Sequence, residues 1–261
     1  MFFIVFHLAC TEVRKEKIMP GKNEPLMEMT SITMEAGSFW MGSKEYGVDE
    51  QPKHEVELTH SFEMMKTEMT QSGYHSIMGE NPSFFSKCGD DCPVEKVRWI
   101  DVIQLSNRLN EALGMETCYL TEERDASWPK GYECTGWRLP TEAEWEYVVD
   151  KAMHSDNIRL RKVAWYKKNS SGYTHPVCSK DETMGFCDLL GNVQEWVWDR
   201  PDAYSKEVVI DPLGGENSSH RSFRGGAWNR HPENINWKVR KEANVFFRNN
   251  DLGFRLVRTL P

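Results

Sequence analysis

Six of the seven cysteines lie in three close pairs, and this spacing constrains the fold of the 261-residue chain more than any other feature. Each pair can be closed by one disulfide across a short loop, a pattern typical of exported proteins. A zinc site is the alternative, but the spacings lack paired Cys-x-x-Cys units and no histidine cluster accompanies them. We therefore predict three disulfides: Cys88 with Cys92, Cys118 with Cys134, and Cys178 with Cys187.

The seventh cysteine, Cys10, directly follows the apolar run MFFIVFHLA at the start of the chain. An apolar run that ends in a small residue before a cysteine resembles the signal of a bacterial lipoprotein, so we expect Cys10 to carry a lipid. An ordinary secretory signal or a buried N-terminal strand is the alternative. The polar residues 11–28 are predicted to be a flexible tether. Residues 1–28 would then be signal and tether, and residues 29–261 the folded domain.

This interpretation places the protein outside the cytoplasm. We expect an exported protein at the bacterial cell surface, or an outer-membrane or periplasmic lipoprotein, that touches a membrane only through its lipid anchor. No run of about 20 apolar residues, the length that a membrane-spanning helix needs, is present in the sequence.

Two segments show helical periodicity. Asp101 opens the first, with apolar residues on one face until Gly114 stops it. The second is predicted to begin at Thr141, because Thr141 and Glu144 have the spacing of a capping box.

The remaining sequence predicts strands and loops. Apolar and polar residues alternate over 32–41 and 54–58, as in half-buried strands. After Lys151 the chain is rich in Gly, Asn and Trp and has no long periodic segment. These features predict an α+β domain with two main helices and long ordered loops.

The charge is unevenly distributed. The formal net charge of −8 argues against a nucleic-acid-binding protein, and we expect no nucleic acid among the partners. Between Arg221 and Pro261, however, there are nine Arg or Lys residues against three acidic residues. The C-terminal end therefore differs chemically from the rest of the domain.

Several motifs resemble the formylglycine-generating-enzyme (sulfatase-modifying factor) family. The most specific are Arg138-Leu-Pro-Thr-Glu-Ala-Glu-Trp-Glu-Tyr147 and Leu190-Gly-Asn-Val-Gln-Glu-Trp196. The resemblance spans about residues 30 to 258 and implies a C-type-lectin-like fold in one domain. Arg138 and the glutamates at the start of the second helix are interpreted as a structural charge network. The other matching stretches are Phe39–Ser43, Asp49–Pro52, His54–Leu58, Asn81–Phe85, Cys92–Val94, Trp99–Asp101, Arg224–Asn229 and Gly253–Arg255.

The family's thiol chemistry is not expected in this chain. Formylglycine-generating enzymes use two cysteines near the C-terminus, which hold copper through their thiolates. Here Arg230 stands where the first of these thiols would lie, and no cysteine follows Cys187. We therefore assign no catalytic residue and recognise no copper site.

A second enzymatic branch of the family leaves an alternative open. Its members are non-haem iron oxygenases that bind iron on three histidines from an added helical domain. None of the eight histidines of this chain forms a His-x-x-x-His pair, and we recognise no iron site. An unrecognised metal oxidase or oxygenase acting on a thiol or a small molecule remains the alternative function.

The C-terminal segment resembles the variable proteins of diversity-generating retroelements, which display varied side chains on this fold. This implies a protein or other macromolecular ligand bound by a cationic and aromatic surface. A non-variable binding protein is an alternative, as is simple divergence of a lost enzyme pocket in which Phe246 and Phe247 are core residues. The predicted ligand-binding residues are Trp228, Asn229, Arg230, His231, Glu233, Asn234, Asn236, Trp237, Lys238, Lys241, Glu242, Asn244, Phe246 and Phe247.

The family resemblance also implies a structural calcium site. Carried over to this sequence, the ligands are the side chains of Asp188 and Glu195 and the carbonyl oxygens of Gly191 and Val193. Oxygen-only ligation suits a hard cation such as calcium. The alternative is that Glu195 only pairs with a neighbouring arginine.

Overall fold

The computed structural model describes residues 12–18, 27–155, 158–216 and 218–261. Cys10 and most of the predicted signal and tether lie outside the described residues. Within them, four helices are present: α1 Gln71–Met78, α2 Trp99–Leu113, α3 Glu142–Ser155 and α4 Leu160–Val163. No helix in this part of the chain is long and apolar enough to cross a bilayer.

The two long helices confirm the helical prediction. Helix α2 ends at Gly114, which adopts a left-handed conformation with φ of 67°. Helix α3 follows Thr141, whose Oγ1 accepts a hydrogen bond from the Glu144 backbone N at 3.1 Å. In return, the Thr141 backbone N donates to Glu144 Oε2 at 2.8 Å, which completes the predicted capping box.

Thirteen short strands form four sheets in the described part of the chain. The sheet orders are β1-β2-β5-β13, β11-β10-β8-β12, β3-β4-β9 and β6-β7. All pairs are antiparallel except β12 with β8 and β4 with β9. The strands are β1 Val13–Ile18, β2 Met27–Met34, β3 Gly37–Met41, β4 His54–Leu58, β5 Phe62–Met65, β6 Leu120–Thr121, β7 Ala126–Ser127, β8 Gln194–Trp196, β9 Val209–Ile210, β10 His220–Arg224, β11 Lys241–Asn244, β12 Leu252–Gly253 and β13 Val257–Thr259.

Strand β1 corrects the tether prediction for residues 13–18. It pairs with β2 over its full length, so the folded region begins before residue 29. Its sequence, VRKEKI, has no apolar alternation and gave no strand signal. Backbone pairing and ion pairs hold it instead, with Glu16 2.7 Å from Arg258 and Arg14 3.2 Å from Glu63.

The predicted strand at 32–41 is two strands in different sheets. Strand β2 pairs with β5 and strand β3 with β4, and residues 35–36, which belong to neither strand, separate them. Among the apolar residues of 32–41, the buried ones lie first at even positions, Ile32 and Met34, and then at odd positions, Phe39 and Met41. This change of parity is the sequence signal of the break.

The core consists of two hydrophobic clusters. One contains five buried tryptophans and the inner face of α2, and the other contains the inner face of α3. Neighbouring residues Met64 and Met65 of β5 belong to different clusters, because successive side chains of a strand point to opposite faces. The β2-β5 pair therefore lies between the two clusters.

Four fully buried arginines pair with carboxylates and tie the loops to this core. Each buried guanidinium has a carboxylate within hydrogen-bond distance, which confirms the predicted charge network at the start of α3. Such pairs constrain the fold through the cost of leaving either charge unpaired. The pairs are Arg138 with Glu144, Arg221 with Asp125, Arg224 with Glu142 and Glu146, and Arg255 with Glu195.

Candidate ligand-binding surface

Three disulfides close the loops that the sequence predicts. They join Cys88 to Cys92, Cys118 to Cys134, and Cys178 to Cys187. Cys178 and Cys187, with Glu182, also form a group of potential metal ligands within the described residues. Since the two sulfurs are bonded to each other, this group is a structural cross-link.

Three side chains of the C-terminal segment donate hydrogen bonds to one buried carboxylate. Asp251 is 1% exposed and accepts hydrogen bonds from Asn229 at 2.9 Å, Arg230 at 2.9 Å and Asn249 at 2.6 Å. Arg230 is thus half of an ion pair. Trp228 is also fixed, because its indole nitrogen donates to a backbone carbonyl at 3.0 Å. These three predicted binding residues mainly position the backbone.

Trp228 contacts a pair of phenylalanines that the sequence prediction missed. Its ring packs edge-on against Phe85 at 5.3 Å between centroids, and Phe85 packs against Phe84 at 5.0 Å. Phe84 is 62% exposed. The apolar pair in Asn81-Pro-Ser-Phe-Phe85 was the available signal, but it reads equally as a core sequence.

Lys238 and its neighbours are held against helix α3. The Lys238 ammonium contacts Glu146 at 2.9 Å and Asp150 at 3.1 Å and is only 12% exposed. Asn236 accepts from the Lys238 backbone N, and Trp237 packs on the second core cluster. All three residues nevertheless line a cavity of 350 Å³ beside this helix.

The turn at 231–234 is more accessible. Its 3-10 helix contains Glu233 and Asn234, both exposed. His231 lies 3.1 Å from the Lys167 ammonium and is half exposed. These three side chains are free to meet a partner with little rearrangement.

Strand β11 and the turn after it present the most exposed part of the segment. Glu242 and Asn244 alternate with half-buried residues along the strand. Phe246 and Phe247 follow in the turn and are 41% and 43% exposed, so they are not core residues. Val245 between them and the strand is buried and anchors the turn.

Two adjoining cavities run beside strand β11, and we name them together the β11 groove. The first has a volume of 510 Å³ and is lined by Lys241 and Glu242. The second has a volume of 490 Å³ and is lined by Asn244 and Phe246. Ser218 lines both cavities, so they lie next to each other. Other lining residues include Val48, Asp49, Pro201, Asp202 and Arg240 in the first cavity, and Arg124, Asp125, Arg200 and Glu216 in the second.

The electrostatics of this surface follow from partial burial. Burial, with Arg230 nearby, lowers the pKa of Lys241.

Deeper in the domain, burial raises the pKa of Asp199 to about 8, and the neighbouring Glu142 carboxylate contributes. Asp199 Oδ2 accepts a hydrogen bond from the Glu142 backbone N at 2.6 Å, at the start of helix α3.

The four predicted calcium ligands lie in one buried region. Glu195 accepts from Arg255 at 2.8 Å and from the Trp145 indole at 2.8 Å. Asp188 Oδ2 accepts from a backbone N–H, while its buried Oδ1 has no partner among the described residues. Burial raises the pKa of Asp188 to about 6.

A third buried carboxylate, Glu68, adds negative charge to this region. Its pKa is raised by burial and then by Asp188 and Glu195. Arg255 is the buried cation that faces all three carboxylates. The oxygen donors and the unpartnered Asp188 oxygen therefore fit a hard cation.

The comparisons with known proteins agree with this architecture. Residues 16–260 match the family described as "Sulfatase-modifying factor enzyme 1-like domain". The chain is 28% identical to the chaperone protein LppX of Paenibacillus barcinonensis, over 87% of this chain and 89% of that protein. It is also 28% identical to the serine/threonine-protein kinase Pkn1 of Chlamydia trachomatis, but spans only 40% of that kinase.

A solved structure is also similar to this chain over nearly its whole length. The Treponema denticola variable protein 1 superposes with a TM-score of 0.81 and 29% identity, over 94% of this chain and 98% of that chain. The chain therefore belongs to the sulfatase-modifying factor enzyme 1-like family, with its α+β, C-type-lectin-like fold, and within that family it resembles the variable proteins of diversity-generating retroelements.

Proposed function

We propose that this chain is an exported, lipid-anchored protein that binds a macromolecular ligand through its C-terminal surface. One observation carries the proposal. Buried contacts fix the framework residues such as Asn229 and Arg240, while Glu242, Phe246 and Phe247 are exposed beside the β11 groove. A rigid frame that displays exposed side chains is suited to recognition, because ordering costs little on binding.

The chemistry of the surface supports a protein ligand. Aromatic residues and arginine are the side chains that dominate protein–protein binding energy. Two adjacent exposed phenylalanines in a well-anchored turn can supply such an anchor. The relative LppX is named a chaperone, and the solved relative is named a variable protein. Both names favour binding over catalysis for this chain.

The cysteine inventory supports a non-enzymatic role. No cysteine follows Cys187, and the six cysteines of the described region are consumed by disulfides. Arg230 is paired with Asp251 where the family's first thiol would lie. Disulfides of this kind also support export.

We include a structural calcium ion in the proposal. Asp188 would bind it through its unpartnered oxygen, with the carbonyl oxygens of Gly191 and Val193, and Glu195 would share its carboxylate with Arg255. The ion would offset the excess negative charge of the three buried carboxylates. Its role would be to hold loops, with no chemistry on a substrate.

A binding array tests the main proposal. The probe is the labelled protein, applied to an array of purified extracellular proteins and glycans. A variant with Glu242, Asn244, Phe246 and Phe247 replaced by alanine should lose the hits. The control variant Tyr173→Ala/Val208→Ala, at two exposed apolar positions that do not line the groove, should keep them. Hits that survive the fourfold variant would refute a C-terminal binding surface.

The enzymatic alternative has its own test. An oxidase or oxygenase would consume oxygen in the presence of copper or iron and a thiol substrate. We expect no consumption above that of the metal alone. Saturable turnover would replace the binding proposal.

The lipid anchor and the retroelement origin are tested separately. Labelling with palmitate should be lost in Cys10→Ala. A near-identical template repeat beside a reverse-transcriptase gene should accompany this gene. Absence of the repeat would reduce the proposal to an ordinary binding protein of this fold.

A further inference from the structure

A single residue separates the proposed lipid anchor from the folded domain. Only Thr11 lies between Cys10 and Glu12, the first residue that the structure describes. The Glu12 carbonyl oxygen accepts a hydrogen bond from the Thr33 backbone N at 3.1 Å. Because consecutive Cα atoms are about 3.8 Å apart, the Cα atoms of Cys10 and Glu12 can be at most about 7.6 Å apart.

Strand β1 holds this point of the chain on the domain. Each of its six residues has a partner on β2, from Val13 opposite Ile32 to Ile18 opposite Met27. The strand cannot swing away as a tether would without breaking this ladder. A lipid on Cys10 would be buried in the bilayer. The Glu12 end of the β1-β2-β5-β13 sheet would therefore lie at the membrane surface.

Two loops lie at the same end of the sheet. Residues 35–36 follow β2, and residues 59–61 connect β4 to β5. The two loops are joined, because the Ala36 backbone N donates to Ser61 Oγ at 3.1 Å. We name Glu12, residues 35–36 and residues 59–61 the anchor end. A bilayer that holds the lipid would meet this part of the domain first.

The predicted ligand-binding segment is held at the other end of the same sheet. Thr259 of β13 pairs with Phe62, next to the anchor end. From there the two chains run side by side away from the anchor end, as far as Phe254, whose carbonyl oxygen accepts from the Met69 backbone N at 2.8 Å. Asp251, the buried carboxylate that binds the segment, is eight residues before Thr259. A chain of that length spans up to about 26 Å.

We propose that the anchor end of the domain rests on the lipid bilayer and that the ligand-binding residues around Asp251 face away from it. The inference rests on the lipid anchor of the proposed function and adds the orientation of the domain. Glu12 and Glu35 are exposed at the anchor end, and anionic headgroups would repel their carboxylates. The covalent lipid and the short connection to β1, rather than charge attraction, would hold this end at the membrane.

Fluorescence quenching on vesicles tests this orientation. The lipidated full chain is reconstituted in phosphatidylcholine vesicles whose headgroups carry a nitroxide quencher. A fluorophore is attached to one added thiol, in Ala36→Cys at the anchor end or in Arg248→Cys near Asp251, both at exposed positions. We expect a large loss of fluorescence at position 36 and almost none at position 248.

An insertion variant tests whether the short connection causes this difference. A 20-residue Gly/Ser insertion between Thr11 and Glu12 has a root-mean-square length of about 25 Å. It should reduce quenching at position 36 toward that at position 248. The same labelled proteins carrying Cys10→Ala should show no quenching, and melting temperatures show that each variant is folded.

Equal quenching at the two positions, or stronger quenching at position 248, would overturn the inference. Quenching at position 36 that the insertion leaves unchanged would also overturn it, because the connection to β1 would then not set the orientation. If Cys10 takes up no palmitate, both the anchor and the orientation are wrong, whereas the array result for ligand binding is unaffected. If palmitate is incorporated but quenching is equal, the proposed function stands and only the orientation fails.

Discussion

At the scale of single residues, the fold depends on charges that are buried and paired. Arg138 is fully buried, donates to both Glu144 oxygens and also bonds Thr259 on the last strand. Removing such a guanidinium leaves a buried carboxylate unpaired. This lowers the free energy of unfolding more than the loss of an exposed ion pair does.

Arg138→Met should therefore lower the free energy of unfolding by about 3–5 kcal/mol, measured by urea denaturation. The control Arg98→Met breaks a pair with Asp101 in which Arg98 is 40% exposed, and should cost less than about 1 kcal/mol. Equal costs for the two variants would show that burial of the Arg138 pair is unimportant.

Asp199 makes stability depend on pH in a defined direction. Burial raises its pKa to about 8, whereas an unfolded aspartate titrates near 4. Between these values the folded state binds a proton that the unfolded state releases, so stability falls as pH rises from about 4 to about 8.

Asp199→Asn should remove this contribution, up to about 1.4 kcal/mol per pH unit, while still accepting the bond from the Glu142 backbone. Urea denaturation across pH 4–8 measures the slope, and exposed Asp90→Asn serves as the control. A slope identical to that of the unmodified protein would contradict the assignment.

Asp188 carries the calcium prediction. If calcium binds the folded state at a hundredfold excess over its Kd, the linkage contributes about 2.7 kcal/mol, or a rise in Tm of about 5–10 °C. The rise should disappear in Asp188→Ala and on adding a chelator. A Tm that calcium does not move would remove the ion from the proposal.

At the scale of elements, the disulfides compensate for loops with little regular structure. Residues 164–193 contain no helix and no strand. One disulfide, between Cys178 and Cys187, lies within this segment. A cross-link stabilises mainly by restricting the unfolded chain, more so for longer loops.

The two remaining disulfides provide a comparison of loop length. The Cys118–Cys134 separation is 16 residues and that of Cys88–Cys92 is 4. In the chain-entropy account, replacing the first pair by serine should cost about 3 kcal/mol and the second about 2 kcal/mol. Urea denaturation of each double variant checks this order. The reverse order would show that native packing around the pairs outweighs loop closure.

The sequence was informative about elements that carry strong local signals. Gly114 and the Thr141–Glu144 box placed both long helices, because capping chemistry is local. Strand β1 was missed, because backbone pairing and ion pairs across the sheet hold it, and local periodicity does not contain that information. The break after Met34 was missed although its signal, the change of parity of the buried residues, is present in the sequence.

At the scale of the whole molecule, one short C-terminal segment contains both side chains that buried contacts fix and side chains that are exposed. Motif resemblance located that segment, but it could not tell which side chains face outward. Of the residues predicted to bind ligand, Lys238 and Trp237 pack on helix α3 and the core, whereas Phe246 and Phe247 are exposed. The groove beside β11 also draws on Asp49 and Asp202, which are distant in sequence. Only the tertiary fold brings these residues together.

The central claim is that exposed side chains around strand β11 bind the ligand while the framework is unaffected. The most direct measurement is isothermal titration of the array-identified ligand with Phe246→Ala/Phe247→Ala, together with the Tm of that variant. We predict a Kd at least about thirtyfold higher, since each exposed aromatic anchor contributes about 1–2 kcal/mol, with little change in Tm. An unchanged Kd, or a loss of binding that only accompanies unfolding, would contradict the account.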